Sequence, residues 1–120
     1  MKQDSRLYIG VMSGTSLDGV DVALCEIDAM HCRLVASYEH LFPSALKEEV
    51  LHTITHATTL QNIGELDIKL GKLFAEALNS FIKKESLLPE NIRAIGLHGQ
   101  TLWHAPDSSY PFSMQLGSAN

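Results

Sequence analysis

Cysteine, basic residues and long apolar runs are all scarce in this chain. Its two cysteines, Cys25 and Cys32, are too few for the disulfide framework of a small secreted domain. Nine Lys and Arg stand against fourteen Asp and Glu, for a formal charge of −5. Without a basic cluster the chain is a poor candidate for duplex nucleic acid or an anionic membrane, because neutralising phosphates takes Lys and Arg in quantity. No apolar run approaches the ~20 residues of a membrane-spanning helix. Residues 1–6 lead into an apolar run that Ser13 and Gly14 break at once, unlike a secretory leader. A reducing cytoplasm is the expected compartment. What remains is ordinary: 45% hydrophobic and 19% charged residues in a chain of 120, fitting a globular domain or part of one.

Charge falls unevenly. Thirteen of the charged residues lie between Lys47 and Arg93, and beyond Arg93 only Asp107 follows. A charged middle predicts solvated helices, and a charge-poor end predicts buried strand and loop. Leu7–Met12 is a short apolar run of β-formers, and Val20–Ile27 alternates roughly in polarity. Arg33–Leu41 makes a third strand after a turn at Asp28-Ala29-Met30-His31, so an antiparallel meander opens the chain. Ser44 is the expected N-cap of a helix whose Leu46, Val50, Leu51 and Ile54 share a face. Asn62 and Glu65 resemble a capping box for a longer helix. There, Leu66, Leu70, Leu73, Phe74, Ala77, Leu78 and Phe81 give the strongest periodicity in the sequence. After Pro89, Ile92–Leu97 reads as a fourth strand and Phe112–Leu116 as a fifth. Strands first and a helical crossover later predict a mixed α/β sheet. There is no repeat, no low-complexity linker and no internal boundary, so residues 1–120 read as one portion of a domain. With no closing helix after the last strand, a fragment of a longer protein is expected, with marginal stability on its own.

Two polar clusters invite chemistry. The first, Ser13 to Asp21, holds two glycines, three hydroxyls and two aspartates. Gly14 and Gly19 let backbone amides approach an anion, and Thr15 and Ser16 add hydroxyl donors. Asp18 or Asp21 could hold Mg²⁺ through water. The pattern is neither a P-loop nor a dinucleotide fingerprint, and it misses a nucleophile elbow by one residue type. A plain hairpin with a primed Asp18-Gly19 turn is the competing reading. The second cluster, His98-Gly99-Gln100-Thr101, follows the fourth strand, where polar groups at a strand's carboxyl end face ligand crevices. Its donors and acceptors suit sugar hydroxyls or an amide, and Trp103 could stack on a sugar or simply pack. A polar loop with a hydrogen-bonded histidine is the alternative. His98 with His104 has the wrong spacing for zinc on one helical face. His52 and His56 are four apart but lack the intervening Glu of H-E-x-x-H. Cys25 reads as a small buried strand residue.

Together the clusters are more specific than either alone. Gly10–Asp21 (Gly-Val-Met-Ser-Gly-Thr-Ser-Leu-Asp-Gly-Val-Asp) resembles the signature of the anhydro-N-acetylmuramic acid kinases. Ala94–Thr101 resembles that family's second signature, with Leu97 where Ser or Cys is usual, and Phe112–Gly117 is similar to its next strand. The resemblance implies an actin-like ATPase (ribonuclease H-like) fold of two domains, the second absent from this chain. It implies that Gly14, Thr15, Ser16, Leu17, Asp18, Gly19, Val20 and Asp21 grip the phosphates of ATP, with Asp18 as a water-mediated Mg²⁺ contact. His98, Gly99, Gln100 and Thr101 would border the sugar. The implied reaction opens a 1,6-anhydro bridge with water and phosphorylates O6, giving N-acetylmuramic acid 6-phosphate for cell-wall sugar recycling. Implied partners are the amino sugar and ATP, with neither nucleic acid nor membrane; a homodimer of the complete protein stays open. The family's catalytic aspartate lies in an Asp-Phe-Arg-Arg-x-Asp motif that this chain does not contain, so no catalytic residue is assigned here and the 120 residues alone are expected to be inactive. A non-catalytic phosphate- or sugar-binding module, or an interaction fragment pairing through a sheet edge, are the competing classes.

Overall fold

The computed structural model describes residues 6–14 and 16–117. Five strands and two helices form a mixed α/β sheet in the order β3-β2-β1-β4-β5. Strands β1 (Leu7–Ser13), β2 (Gly19–Ile27) and β3 (Cys32–Leu41) form the expected antiparallel meander. Helices α1 (Ser44–Thr55) and α2 (Leu60–Lys84) then carry the chain across the sheet. A short 3₁₀ turn at Pro89–Asn91 leads into β4 (Ile92–Ala105), which lies parallel to β1. Strand β5 (Phe112–Leu116) closes the edge antiparallel to β4. Among the described residues, no helix is long and apolar enough to cross a membrane.

Alternation explains which face is buried. Ile9 and Val11 of β1 and Val20, Val22 and Leu24 of β2 point toward the helices and are at most 3% exposed. Helix α2 meets them with Leu66, Leu70, Phe74, Ala77 and Phe81, the stripe expected from its 3.6-residue period. Phe81 also stacks on Tyr38 of β3, with ring centroids 6.3 Å apart. The opposite face, bearing Gly10, Met12 and Asp21, is largely open.

The β2–β3 turn is held by Asp28, whose carboxylate accepts the Met30 and His31 amides, each at 2.8 Å. Those two bonds, with a smaller contribution from Arg6, hold its carboxyl below the usual carboxylate range. Its contribution to stability is therefore present above the ordinary carboxylate pKa and fades as pH falls through the lowered one.

Three expectations are corrected. Ser44 does not cap α1: Pro43 occupies that position, its carbonyl accepts the Lys47 amide at 2.9 Å, and Ser44 lies already inside the first turn. The Asn62–Glu65 capping box does not form either. Helix α2 begins earlier, at Leu60, and Thr59 Oγ1 accepts the Asn62 amide at 3.1 Å. Glu65 instead takes a 3.0 Å bond from Gln61 Nε2. Finally, the fourth strand does not end at Leu97 but runs to Ala105. Its second half is held by pairing with β5, from Gln100 opposite Leu116 to Ala105 opposite Phe112.

The cap assignment has a direct test. Thr59→Ala should lower stability to urea by about 1 kcal/mol, the usual cost of losing a helix N-cap. Asn62→Ala, which keeps its backbone amide, should cost less than about half of that. The reverse ranking would put the cap at Asn62.

Candidate functional site

The parallel ladder between β1 and β4 sets the two polar clusters side by side. Met12 pairs with Gly99 and Ser13 with Gln100, although these residues are 87 positions apart. The end of β1 therefore feeds the glycine-rich turn directly beside the His98–Thr101 segment, which lies inside β4 rather than in a loop after it. The ladder shifts register between Val11 and Met12, leaving His98 as an extra residue in β4. Gly99 absorbs the shift with φ +85, where a Cβ would stand 2.7 Å from the Leu116 carbonyl oxygen.

The turn from Gly14 to Asp18 is not the primed hairpin. Leu17, not Asp18 or Gly19, takes the left-handed conformation, with φ 58. This turns its side chain inward, where it is 2% exposed among the core residues. Its amide donates to the Gly14 carbonyl at 3.3 Å. Val20 is also buried, pointing into the core, and Gly19 lies so close to Glu39 that a Cβ would meet its Cγ at 2.7 Å. Gly14, Ser16, Asp18 and Asp21 are left at the surface. Thr15 lies outside the described residues. What Leu17 and Val20 could offer a ligand is thus backbone, not side chain.

Two residues given no site role from the sequence lie at this place: Lys47, outside both motifs, and Ser13, which opened the first cluster. Lys47, on the first turns of α1, reaches Asp18 with Nζ 3.4 Å from the carboxylate. Its distance in sequence hid it; only the folding of α1 against the turn brings it there. Ser13, at the end of β1, donates its hydroxyl to Gln100 Oε1 at 2.5 Å. Gln100 is 1% exposed and completes its bonding by donating from Nε2 to the carbonyls of Gly14, at 3.4 Å, and Thr101, at 3.2 Å.

The four residues of the second cluster do not share a face. His98 is exposed on the open side of the sheet, where it lines a shallow concavity of about 510 Å³ with Met12, Asp21 and Gly96. Its Nδ1 lies 3.3 Å from the Gly99 carbonyl oxygen. Thr101 Oγ1 accepts a 3.4 Å bond from Gln115 Nε2. Thr101 and Gln100 border a second recess of about 270 Å³ with Leu17, Ile54, Trp103 and His104. Trp103 is half-exposed there. Cys25 is only half-buried; its thiol is pushed up by burial first and by neighbouring Cys32 second. His52 and His56 stack on the surface of α1 with ring centroids 4.1 Å apart. Among the described residues no three His, Cys, Asp or Glu side chains gather as a metal-binding group.

The turn thus has exposed residues at Gly14, Ser16 and Asp18, a carboxylate–ammonium pair with Lys47 and a polar strand alongside it. Comparison with known proteins gives the family. The family profile for anhydro-N-acetylmuramic acid kinase matches residues 6–120. A relative of that name from Sulfurimonas denitrificans is 62% identical over 97% of this chain and 32% of its own length. Its counterpart from Sulfurovum is 57% identical over 92% of this chain and 31% of its own. The Pasteurella multocida protein is 48% identical over 100% of this chain and 32% of its own. The chain thus spans about a third of the length of the curated relatives it matches. With the profile covering nearly every residue and both clusters inside the matched span, the chain belongs to the anhydro-N-acetylmuramic acid kinase family.

Proposed function

We propose that the complete protein carrying this segment is an ATP-dependent kinase of anhydro-N-acetylmuramic acid. The observation behind this reading is the Ser13–Gln100 register, which sets the phosphate-type turn against the polar strand so that two ligands would meet end to end. In this reading the turn from Gly14 to Asp21 cradles the phosphates of ATP, chiefly through backbone amides. The His98–Thr101 segment of β4 borders the sugar. Asp18 is a single carboxylate, largely exposed and held by Lys47 at 3.4 Å, so its donor set fits an outer-sphere contact to Mg²⁺ through water. The metal, when bound, supplies charge neutralisation for the phosphates. Lys47 adds a second cation at the same place.

The chemistry balances simply. The oxygen of water bonds to the anomeric carbon as the bond from that carbon to O6 breaks. O6 takes the γ-phosphoryl group, and ADP leaves. One proton from the water must pass to a base, and a positioned carboxylate suits that task. In this reading Asp18 and Asp21 serve the phosphate-binding turn, Asp28 holds the β2–β3 turn, Asp67 accepts the Gly117 amide and Asp107 stands in the β4–β5 connection. By the family resemblance the base comes from the Asp-Phe-Arg-Arg-x-Asp motif that this segment does not contain, and in this reading the segment alone is inactive.

The complete protein supplied with ATP and the anhydro sugar should release ADP and yield the 6-phosphate, while the isolated segment should release none. Asp18→Ala in the complete protein should lower kcat roughly a hundredfold through misplacement of the phosphates. A near-normal kcat would remove Asp18 from the site. His98→Ala should raise KM for the sugar more than KM for ATP. An effect confined to the nucleotide would put this strand on the other side of the cleft.

A further inference from the structure

Resting on the phosphate-turn reading above, we infer that Gln100 is a positioning residue for the ATP turn rather than a contact to the sugar. It acts with Ser13 as a tether between β4 and the start of that turn. Both side chains are buried, Ser13 at 4% and Gln100 at 1% exposure. The orientation of the Gln100 amide follows from its neighbours. Two carbonyl oxygens, those of Gly14 and Thr101, face Nε2 and demand a donor. Oε1 is thereby left to accept the Ser13 hydroxyl. Both amide hydrogens are engaged inside the protein, so neither is free for a sugar hydroxyl. Among the described residues no buried side-chain nitrogen or oxygen lacks a partner, so the network is complete without a ligand.

The tether bears on the turn at its first residue. Gly14 is the point where the chain leaves β1, and its carbonyl is held from two sides, by Gln100 Nε2 and by the Leu17 amide. Fixing that carbonyl fixes where the turn leaves β1. Removing either partner leaves a buried polar group unmatched, and the cheapest relief is for the turn to shift. The damage should therefore appear in nucleotide binding.

The experiment uses the complete protein in four forms: wild type, Ser13→Ala, Gln100→Met and the double variant. Steady-state KM is measured for ATP and for the sugar, and the affinity of a non-hydrolysable ATP analogue by calorimetry. Ser13→Ala should raise KM for ATP, and Kd for the analogue, about tenfold, the scale of one broken buried hydrogen bond, and Gln100→Met, which also frees the Gly14 and Thr101 carbonyls, at least as much. KM for the sugar should stay within about twofold, and the double variant should be no worse than the poorer single one, because the Ser13–Gln100 bond is already lost in each single variant. Ser13→Ala removes a single oxygen and keeps the measurement open should Gln100→Met fold poorly. Sugar KM rising in Gln100→Met with Ser13→Ala silent would overturn the inference and make Gln100 a sugar contact. Strictly multiplying effects in the double variant would overturn it as well. Wild type that binds the analogue as tightly as Ser13→Ala does would refute the tether alone. Wild type that fails to bind it at all would refute the phosphate-turn reading, and the tether with it.

Discussion

Everything that makes this segment a site depends on the parallel pairing of β1 with β4. Parallel strands cannot be joined by a tight turn, so the intervening helices must cross the sheet before the ladder can close. In this chain the crossover is α1 and α2, and its closure is held by the stripe from Leu66 to Phe81 lying on Ile9, Val11 and the inner residues of β2. Without that burial the ladder would have nothing to set its register, and a slip of one residue would turn Ser13 and Gln100 to opposite faces. The polar chemistry is thus positioned by apolar packing on the far side of the same strands.

Much of this was legible in the sequence, for identifiable reasons. The meander follows from three runs of β-formers separated by short turn-rich stretches, and the core face of α2 follows from a strict period. What failed was local and electrostatic in origin. Ser44 and Asn62 are good capping residues, yet Pro43 and Thr59, just upstream of each, are where the backbone leaves the helical region. Propensity names the residue type that caps; only tertiary packing decides where the helix begins.

The site itself was half legible. The glycine- and hydroxyl-rich turn was visible as such, but alternation could not be applied through His98–Thr101 because the ladder slips there and Gly99 adopts a left-handed φ. Polar residues that look like one cluster on paper are divided between an open sheet face and the helix-covered side. Lys47 had no local signal at all, being an ordinary helical lysine until α1 docks beside Asp18. Ser13 was visible only as a turn residue, since its meaning lies in a partner 87 residues away.

Leu17 has a consequence for motion. A surface loop normally opens by local fluctuation at little free-energy cost, independently of the domain beneath it. Here the middle of the turn is a core side chain, 2% exposed, so the turn cannot open without withdrawing an apolar plug from the interior. Its opening is thereby joined to the cooperative unit formed by the sheet and α2. The Leu17 amide, bonded to the Gly14 carbonyl, is thereby tied to the protection of the core, and the ordering entropy at this point of the turn is settled when the chain folds.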